Sequence, residues 1–230
     1  MNSGLLNMND IHRQPAPTAP AASSPNPVPN LRRVQLIRKG VLLLALVMLL
    51  SLAAVSRSLD GMGGGRHETM EIVGRAAIVI AIVGRAWCSL YIGGRKKAEI
   101  VDRGPYSVSR NPLYVFSFLA AFGVGAQSGM FSVAVLFLLL AMLVFHFTVR
   151  REEAWLEAHF GDAYRLYRAR TPRFWPHFSC WRDQPELTIR PEFFLLTIRD
   201  GLVLLLAVPI FELIDIAQAS GVFRALIPLL

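Results

Sequence analysis

Two polar clusters bracket an uncharged run of 39 residues, 111–149. Before and across its start lies RGPYSVSRNPLY, which supplies Arg103, Tyr106, Arg110, Asn111, Pro112 and Tyr114; after it comes Arg150-Arg151-Glu152-Glu153. Asn followed by Pro at the head of an apolar run marks a helix N-terminus, where Asn111 can cap the free amides and Pro112 fits the first turn. Exposed amides and the helix dipole also favour an anionic group there, and Arg110 can hold a carboxylate bidentately. Glu152 and Glu153 can pair with arginines at a solvated helix end or serve as carboxylates in a site.

The run between the clusters positions them. A hydrocarbon core of about 30 Å takes roughly 20 apolar residues per helix, so the run suffices for two helices divided at Gly125-Ala126-Gln127-Ser128-Gly129. Both ends of such a hairpin emerge on one membrane face. The clusters then meet where a soluble cofactor can reach a substrate dissolved in lipid.

Composition places the chain in the membrane class: 53% of its 230 residues are hydrophobic and 17% charged, with a mean hydropathy of +0.43. The net charge of +8 is spread through loops flanking apolar segments and forms no aromatic-interleaved basic patch, so no nucleic-acid partner is expected. The two cysteines, Cys88 and Cys180, give neither a disulfide framework nor metal-ligand spacing, and no metal site is expected.

An all-α integral membrane protein of four to five spans follows. Residues 1–35 form an expected disordered cytosolic tail, rich in Pro, Ala, Ser and Asn. Residues 36–94 hold the first two spans, 40–56 and 72–94, the second interrupted by Arg75 and Arg85, which should face the bundle interior or snorkel. Residues 95–178 form the core, with the hairpin as spans three and four. Residues 179–230 hold a linker and a weaker apolar segment, 193–217, carrying Arg199, Asp200, Glu212 and Asp215: a span, a re-entrant segment or an interfacial helix. Five Lys or Arg precede the first span and five occupy 95–110, against two (Arg57, Arg66) between spans one and two and none in the hairpin turn. By the positive-inside rule the N-terminus, the 95–110 loop and 150–192 are cytosolic, in what we expect to be a bacterial inner membrane.

Residues 155–181 contain eight aromatics, interleaved with arginines, which suits an interfacial helix covering the mouth of the hairpin. Gly-Pro-Tyr, then Arg-Asn-Pro-x-Tyr opening a hairpin, then Glu-Glu-x-x-Leu, Phe-Gly-x-x-Tyr and Pro-Arg-Phe-x-Pro, together resemble the isoprenylcysteine carboxyl methyltransferase and phospholipid methyltransferase superfamily, over about 84–176. The resemblance implies a membrane enzyme that binds S-adenosylmethionine at the cytosolic end of the hairpin and methylates a lipophilic acceptor, a prenylcysteine-like carboxylate or a lipid amine. Carried over by position, it implies a cofactor pocket of Ile100, Val101, Tyr106, Asn111, Pro112, Tyr114, Glu152 and Glu153, with Arg110 at the reaction centre. Carboxylates offset ammonium and sulfonium charge, and aromatic faces add cation–π attraction.

Two positions depart from the family pattern. Asn111 stands where relatives have His; it can donate a similar hydrogen bond but cannot titrate. Thr148 stands where some relatives carry a substrate-side Arg, with His146 as a nearby substitute able to reach the same cavity. Methyl transfer is an in-line displacement needing mostly positioning and exclusion of water, and the base candidates for an amine or thiol acceptor are His146, Glu152 and solvent. Neither glycine motif supports a Rossmann fold, because Gly123-Val124-Gly125 lies inside an apolar span and 61–65 is a loop with no phosphate-binding Lys. The alternative is a small non-enzymatic membrane protein, a transporter subunit or scaffold. Membrane reductases with a similar hairpin rank third, having more spans than this chain supplies.

Overall fold

The computed structural model describes residues 64–95 and 98–222, with 47, 48, 50–52, 54–58 and 227–229, all within one compact unit, Val41–Leu230. The expected tail 1–35, much of the expected first span 40–56, Lys96 and Lys97, and 61–63 lie outside the described residues. Of the first span, the described positions from 47 to 55 are helical.

Among the described residues from 64 onward, seven α-helices follow in order: α1 (Gly65–Ile92), α2 (Pro105–Val108), α3 (Pro112–Ala126), α4 (Phe131–Phe160), α5 (Asp162–Arg170), α6 (Pro191–Leu202) and α7 (Ala207–Ala219). One short parallel pair joins β1 (Ser56–Ser58) to β2 (Ile227–Leu229). Among the described residues, three helical stretches are long and apolar enough to cross a membrane: Gly65–Ile92, Phe131–Phe160 and Pro191–Ala219. The protein is an all-α integral membrane protein. Its outward faces carry exposed Val79, Ile80, Val83, Leu139, Leu143 and Phe147, which suits contact with lipid.

The hairpin turns where expected, at Gln127 to Met130, but its arms are unequal. The first arm, α3, has 15 residues, about 22 Å of helix, shorter than the expected full span. Pro112 fixes its start, and Gln127 helps end it by donating to the carbonyls of Gly123 and Glu71, each at 3.2 Å. The second arm, α4, runs for 30 residues, so Glu152 and Glu153 lie within a continuous helix rather than at its end.

Helix α3 packs against α1 on one side and α4 on the other, and α6 packs on α1. At the α1–α3 crossing the backbones nearly touch: a Cβ on Gly123 would meet the Gly74 carbonyl at 2.7 Å, and one on Gly74 would meet the Gly123 carbonyl at 2.8 Å. Small residues permit such close approach, which matters in lipid, where packing rather than water exclusion drives helix association. The hairpin turn and C-terminal helix share a second core of Met130, Val133, Phe137, Ala207 and Phe211.

The C-terminal segment resolves to one long helical stretch broken by a 3₁₀ turn at Val203–Leu206. Pro209 explains the break, since it has no N–H for the Leu205 carbonyl and crowds the preceding turn. Residues 155–181 do not form the single interfacial helix expected from their aromatics. They are divided among the end of α4, the short α5 and an irregular strap with a 3₁₀ turn at Phe178–Cys180, because Pro172 and Pro176 prevent helical continuation.

Candidate cofactor-binding site

Five helices and one loop converge at the open end of the hairpin. The end of α1 supplies Ile92; the following loop supplies Glu99, Ile100 and Val101; α2 supplies Tyr106. The start of α3 contributes Arg110, Asn111, Leu113 and Tyr114, α4 contributes Glu152, Glu153 and Leu156, and α5 contributes Tyr164 and Tyr167. They line a cavity of about 850 Å³ counting its open mouth. The α4 residues follow helical spacing: 149, 152, 153 and 156 fall on one face, with Val149 fully buried.

Glu153 is the knot of the site. It is 6% exposed. Its Oε1 accepts from Arg110 Nε and Asn111 Nδ2, both at 3.1 Å, and its Oε2 accepts from Arg173 Nε at 3.0 Å and Nη2 at 2.7 Å. One carboxylate thereby fastens the start of α3, the middle of α4 and the strap. Asn111 Nδ2 also donates to the Arg173 carbonyl at 3.2 Å, so the expected side-chain cap on α3 is not formed. A buried carboxylate is the stronger acceptor and would be costly to leave unpaired, which turns the amide away from the helix terminus.

Arg110 is equally committed. Besides Glu153, its Nη1 donates to the carbonyls of Arg168 at 3.0 Å and Thr171 at 2.6 Å, and its backbone N–H donates to Pro172 at 2.8 Å. Each bidentate edge of the guanidinium thus has one donor already used inside the protein, which limits its freedom to grip an external carboxylate.

The strap closes the site through backbone bonds. Gly104 N–H donates to the Arg182 carbonyl at 2.8 Å and His177 N–H to Val108 at 3.0 Å; the Arg182 N–H donates to Ser107 Oγ at 3.0 Å. Tyr167 Oη donates to the Tyr106 carbonyl at 2.8 Å, tying α5 to α2. Tyr91 reaches Asp183 at 3.0 Å, and Trp87 stacks on Trp181 at 5.7 Å. Burial raises the Tyr106 and Tyr167 phenols well above their ordinary range and pushes Tyr164 up to about 12. All three remain neutral near physiological pH and offer aromatic faces and hydroxyls, not bases.

Of the residues singled out by sequence, Ile100, Val101, Tyr106, Arg110, Asn111, Tyr114, Glu152 and Glu153 line the cavity, while Pro112 opens α3 and does not. His146 is not in the lining either: its ring meets Phe147 edge-on at 5.7 Å. Thr148 bonds back to the Val144 carbonyl of its own helix. Arg85 turns inward to the Ser117 hydroxyl, whereas Arg75 pairs with Glu71 at 3.5 Å. Ile92, Glu99, Leu113, Leu156, Tyr164 and Tyr167 also line the cavity and are not among the residues singled out for it by sequence; helical phase on α4 is the signal that could have found Leu156, four residues after Glu152.

The phospholipid methyltransferase family matches residues 70–163. The cobalt-zinc-cadmium resistance protein CzcN of Cupriavidus metallidurans is 34% identical over 157 residues, covering 68% of this chain and 72% of that protein. The nickel-cobalt-cadmium resistance protein NccN of Alcaligenes xylosoxydans xylosoxydans is 33% identical over 146 residues, 64% of this chain and 68% of that protein. Protein-S-isoprenylcysteine O-methyltransferase of Schizosaccharomyces pombe is 33% identical over 90 residues, 39% of this chain and 38% of that enzyme. No solved structure matches. The chain belongs to the phospholipid methyltransferase family, a family of membrane methyltransferases related to the isoprenylcysteine enzymes.

Proposed function

We propose that the cavity binds S-adenosylmethionine and that the protein transfers its methyl group to a lipophilic acceptor, a carboxylate or an amine, reached from the bilayer. The observation that carries this reading is the convergence of Glu152, Tyr106 and Tyr114 with the 100–101 backbone in one cavity at the open end of a membrane hairpin. The donor set fits the cofactor: a carboxylate for its cationic groups, aromatic faces for the sulfonium, and polar backbone for the nucleoside.

When bound, S-adenosylmethionine supplies an activated methyl group. Glu152 balances positive charge in the cavity, Tyr106 and Tyr114 shape its wall, and the strap 171–182 excludes water from the reacting atoms. Arg110 and Glu153 hold the walls in register; Arg110 stands at the reaction centre as a positioning group. With His146 outside the lining and the phenols neutral, an acceptor arriving as a carboxylate needs no base, and an amine depends on Glu152 or solvent. The Lys and Arg distribution supports a cytosolic site, where the cofactor is dissolved.

Equilibrium binding to purified protein tests the reading. Saturable binding of S-adenosylmethionine that weakens in Glu152→Gln, with the fold intact, supports it. The names of two relatives, as metal resistance proteins, favour a second reading: a non-enzymatic membrane component of metal resistance. Folded protein that binds no S-adenosylmethionine would select that reading.

A further inference from the structure

A second cluster of titratable groups lies at the other end of the bundle. The hairpin turn, not the hairpin mouth, marks this end: a Cβ on Gly129, whose φ is +67°, would collide with the His67 ring, and Gln127 donates to the Glu71 carbonyl. His67 and Glu71 occupy successive turns at the start of α1, and Asp215 comes from α7. Their ligand atoms all lie within 4.8 Å of one another. The cluster therefore faces the membrane side opposite the cofactor cavity.

The spacing is informative. His67 Nε2 stands 3.3 Å from Glu71 Oε1 and 3.5 Å from Asp215 Oδ2. Charge-assisted N–H···O bonds run at about 2.7–2.9 Å, and one N–H cannot serve two carboxylates well. A tetrahedral ion bound at about 2.0–2.1 Å to nitrogen and oxygen sets its ligands roughly 3.3 Å apart, which matches the separation of His67 Nε2 from each carboxylate. The His67 side chain is 7% exposed, and its Nδ1 is buried without a hydrogen-bond partner, so the ring is held by what Nε2 faces. Arg75 takes the other oxygen of Glu71 at 3.5 Å, orienting that carboxylate. Gln218, three residues beyond Asp215, holds the carbonyls of Ala54 and Ser56 at 2.9 and 3.0 Å and so fixes the last turn of α7.

We propose that His67, Glu71 and Asp215 form a binding site for one divalent transition-metal ion, on the membrane face away from the cofactor cavity. One imidazole nitrogen and two carboxylate oxygens suit zinc, cobalt or nickel rather than soft monovalent copper or magnesium. The two carboxylates balance the ion's charge. Their side chains are 19% and 24% exposed, which leaves a fourth position open to water or to an exchanging ligand, as in sites that release or react rather than purely structural ones. Bound metal would clamp α7 to α1 across the bundle. The ligand set does not involve the methyl-transfer cavity, so the site stands or falls separately from the proposed enzyme activity.

Metal binding to the full chain in detergent or nanodiscs tests it, with zinc competed against a chromophoric chelator and cobalt followed by its visible ligand-field absorption. The expected result is one zinc ion per chain and a strong four-coordinate cobalt band. His67→Gln and Asp215→Asn should each weaken zinc binding at least about tenfold and remove the band, while Glu68→Gln, an exposed neighbour on α1, leaves both unchanged. Asp215→Asn, nearly isosteric, carries the test should His67→Gln fail to fold. No stoichiometric binding by wild type, or binding that persists in the folded Asp215→Asn variant, would overturn the site and leave a His–carboxylate ion cluster in its place.

Discussion

Asn111 Nδ2 donates to Glu153 Oε1 at 3.1 Å, joining the residue just before one hairpin arm to the buried carboxylate of the other. Adjacent glutamates thereby have different work. Glu153 is spent on Arg110, Asn111 and Arg173, while Glu152 belongs to the cavity wall. Glu153→Gln should destabilise the protein by about 3 kcal/mol, because it leaves two guanidinium groups facing a neutral amide. Glu152→Gln should change the melting temperature little and weaken S-adenosylmethionine binding. Thermal unfolding and ligand titration on both variants measure the split; equal loss of stability in the two would show that it does not exist.

Tyr167→Phe removes the donor to the Tyr106 carbonyl while keeping the ring. A buried carbonyl left without its partner costs about 1–3 kcal/mol. The variant should unfold at lower temperature and expose the 171–182 strap to limited proteolysis sooner than wild type. Tyr106→Ala should go further, losing cofactor binding while still inserting into membranes.

Asn111→His installs the residue that the family resemblance implies at this position. The amide donates to two acceptors, Glu153 Oε1 and the Arg173 carbonyl, and an imidazole nitrogen carries one hydrogen at most. Cofactor binding should be retained with a stability loss of about 1 kcal/mol, the worth of one hydrogen bond. Abolished binding in a folded Asn111→His protein would mean that this turn acts differently here.

Gly123→Leu should disrupt the hairpin from a distance. Even the first carbon of the new side chain meets the Gly74 carbonyl at 2.7 Å, and overpacking of this kind costs about 1–3 kcal/mol or more. Lower yield of folded protein and a reduced melting temperature are the expected readouts; a wild-type melting temperature would contradict the close α1–α3 crossing.

Much of this architecture was legible in the chain. The uncharged run, its Gly125–Gly129 interruption and the charged residues at its ends gave the hairpin, because hydrophobic length and turn chemistry are local properties. The cavity walls were legible through motif order, Tyr106 to Tyr114 and Glu152 to Glu153. The separate engagement of the two glutamates was not, since it depends on how α4 is rotated against α3. Asn111 looked like a cap because N-cap propensity is local, whereas the carboxylate that captures its side chain lies 42 residues away. The unequal arms were hidden because hydropathy measures the run, not where each helix starts. His67 and Glu71 share an i,i+4 face that sequence displays, but Asp215 joins them only when α7 docks on the bundle.

Transfer of labelled methyl from S-adenosylmethionine into an organic extract of membranes carrying this protein tests the proposed activity most directly. Wild type should label a lipophilic product, and Glu152→Gln, inserted at the same level, should label it far less. Membranes that contain folded wild-type protein yet give the same label as membranes without it, together with no S-adenosylmethionine binding by that protein, would contradict the methyltransferase reading.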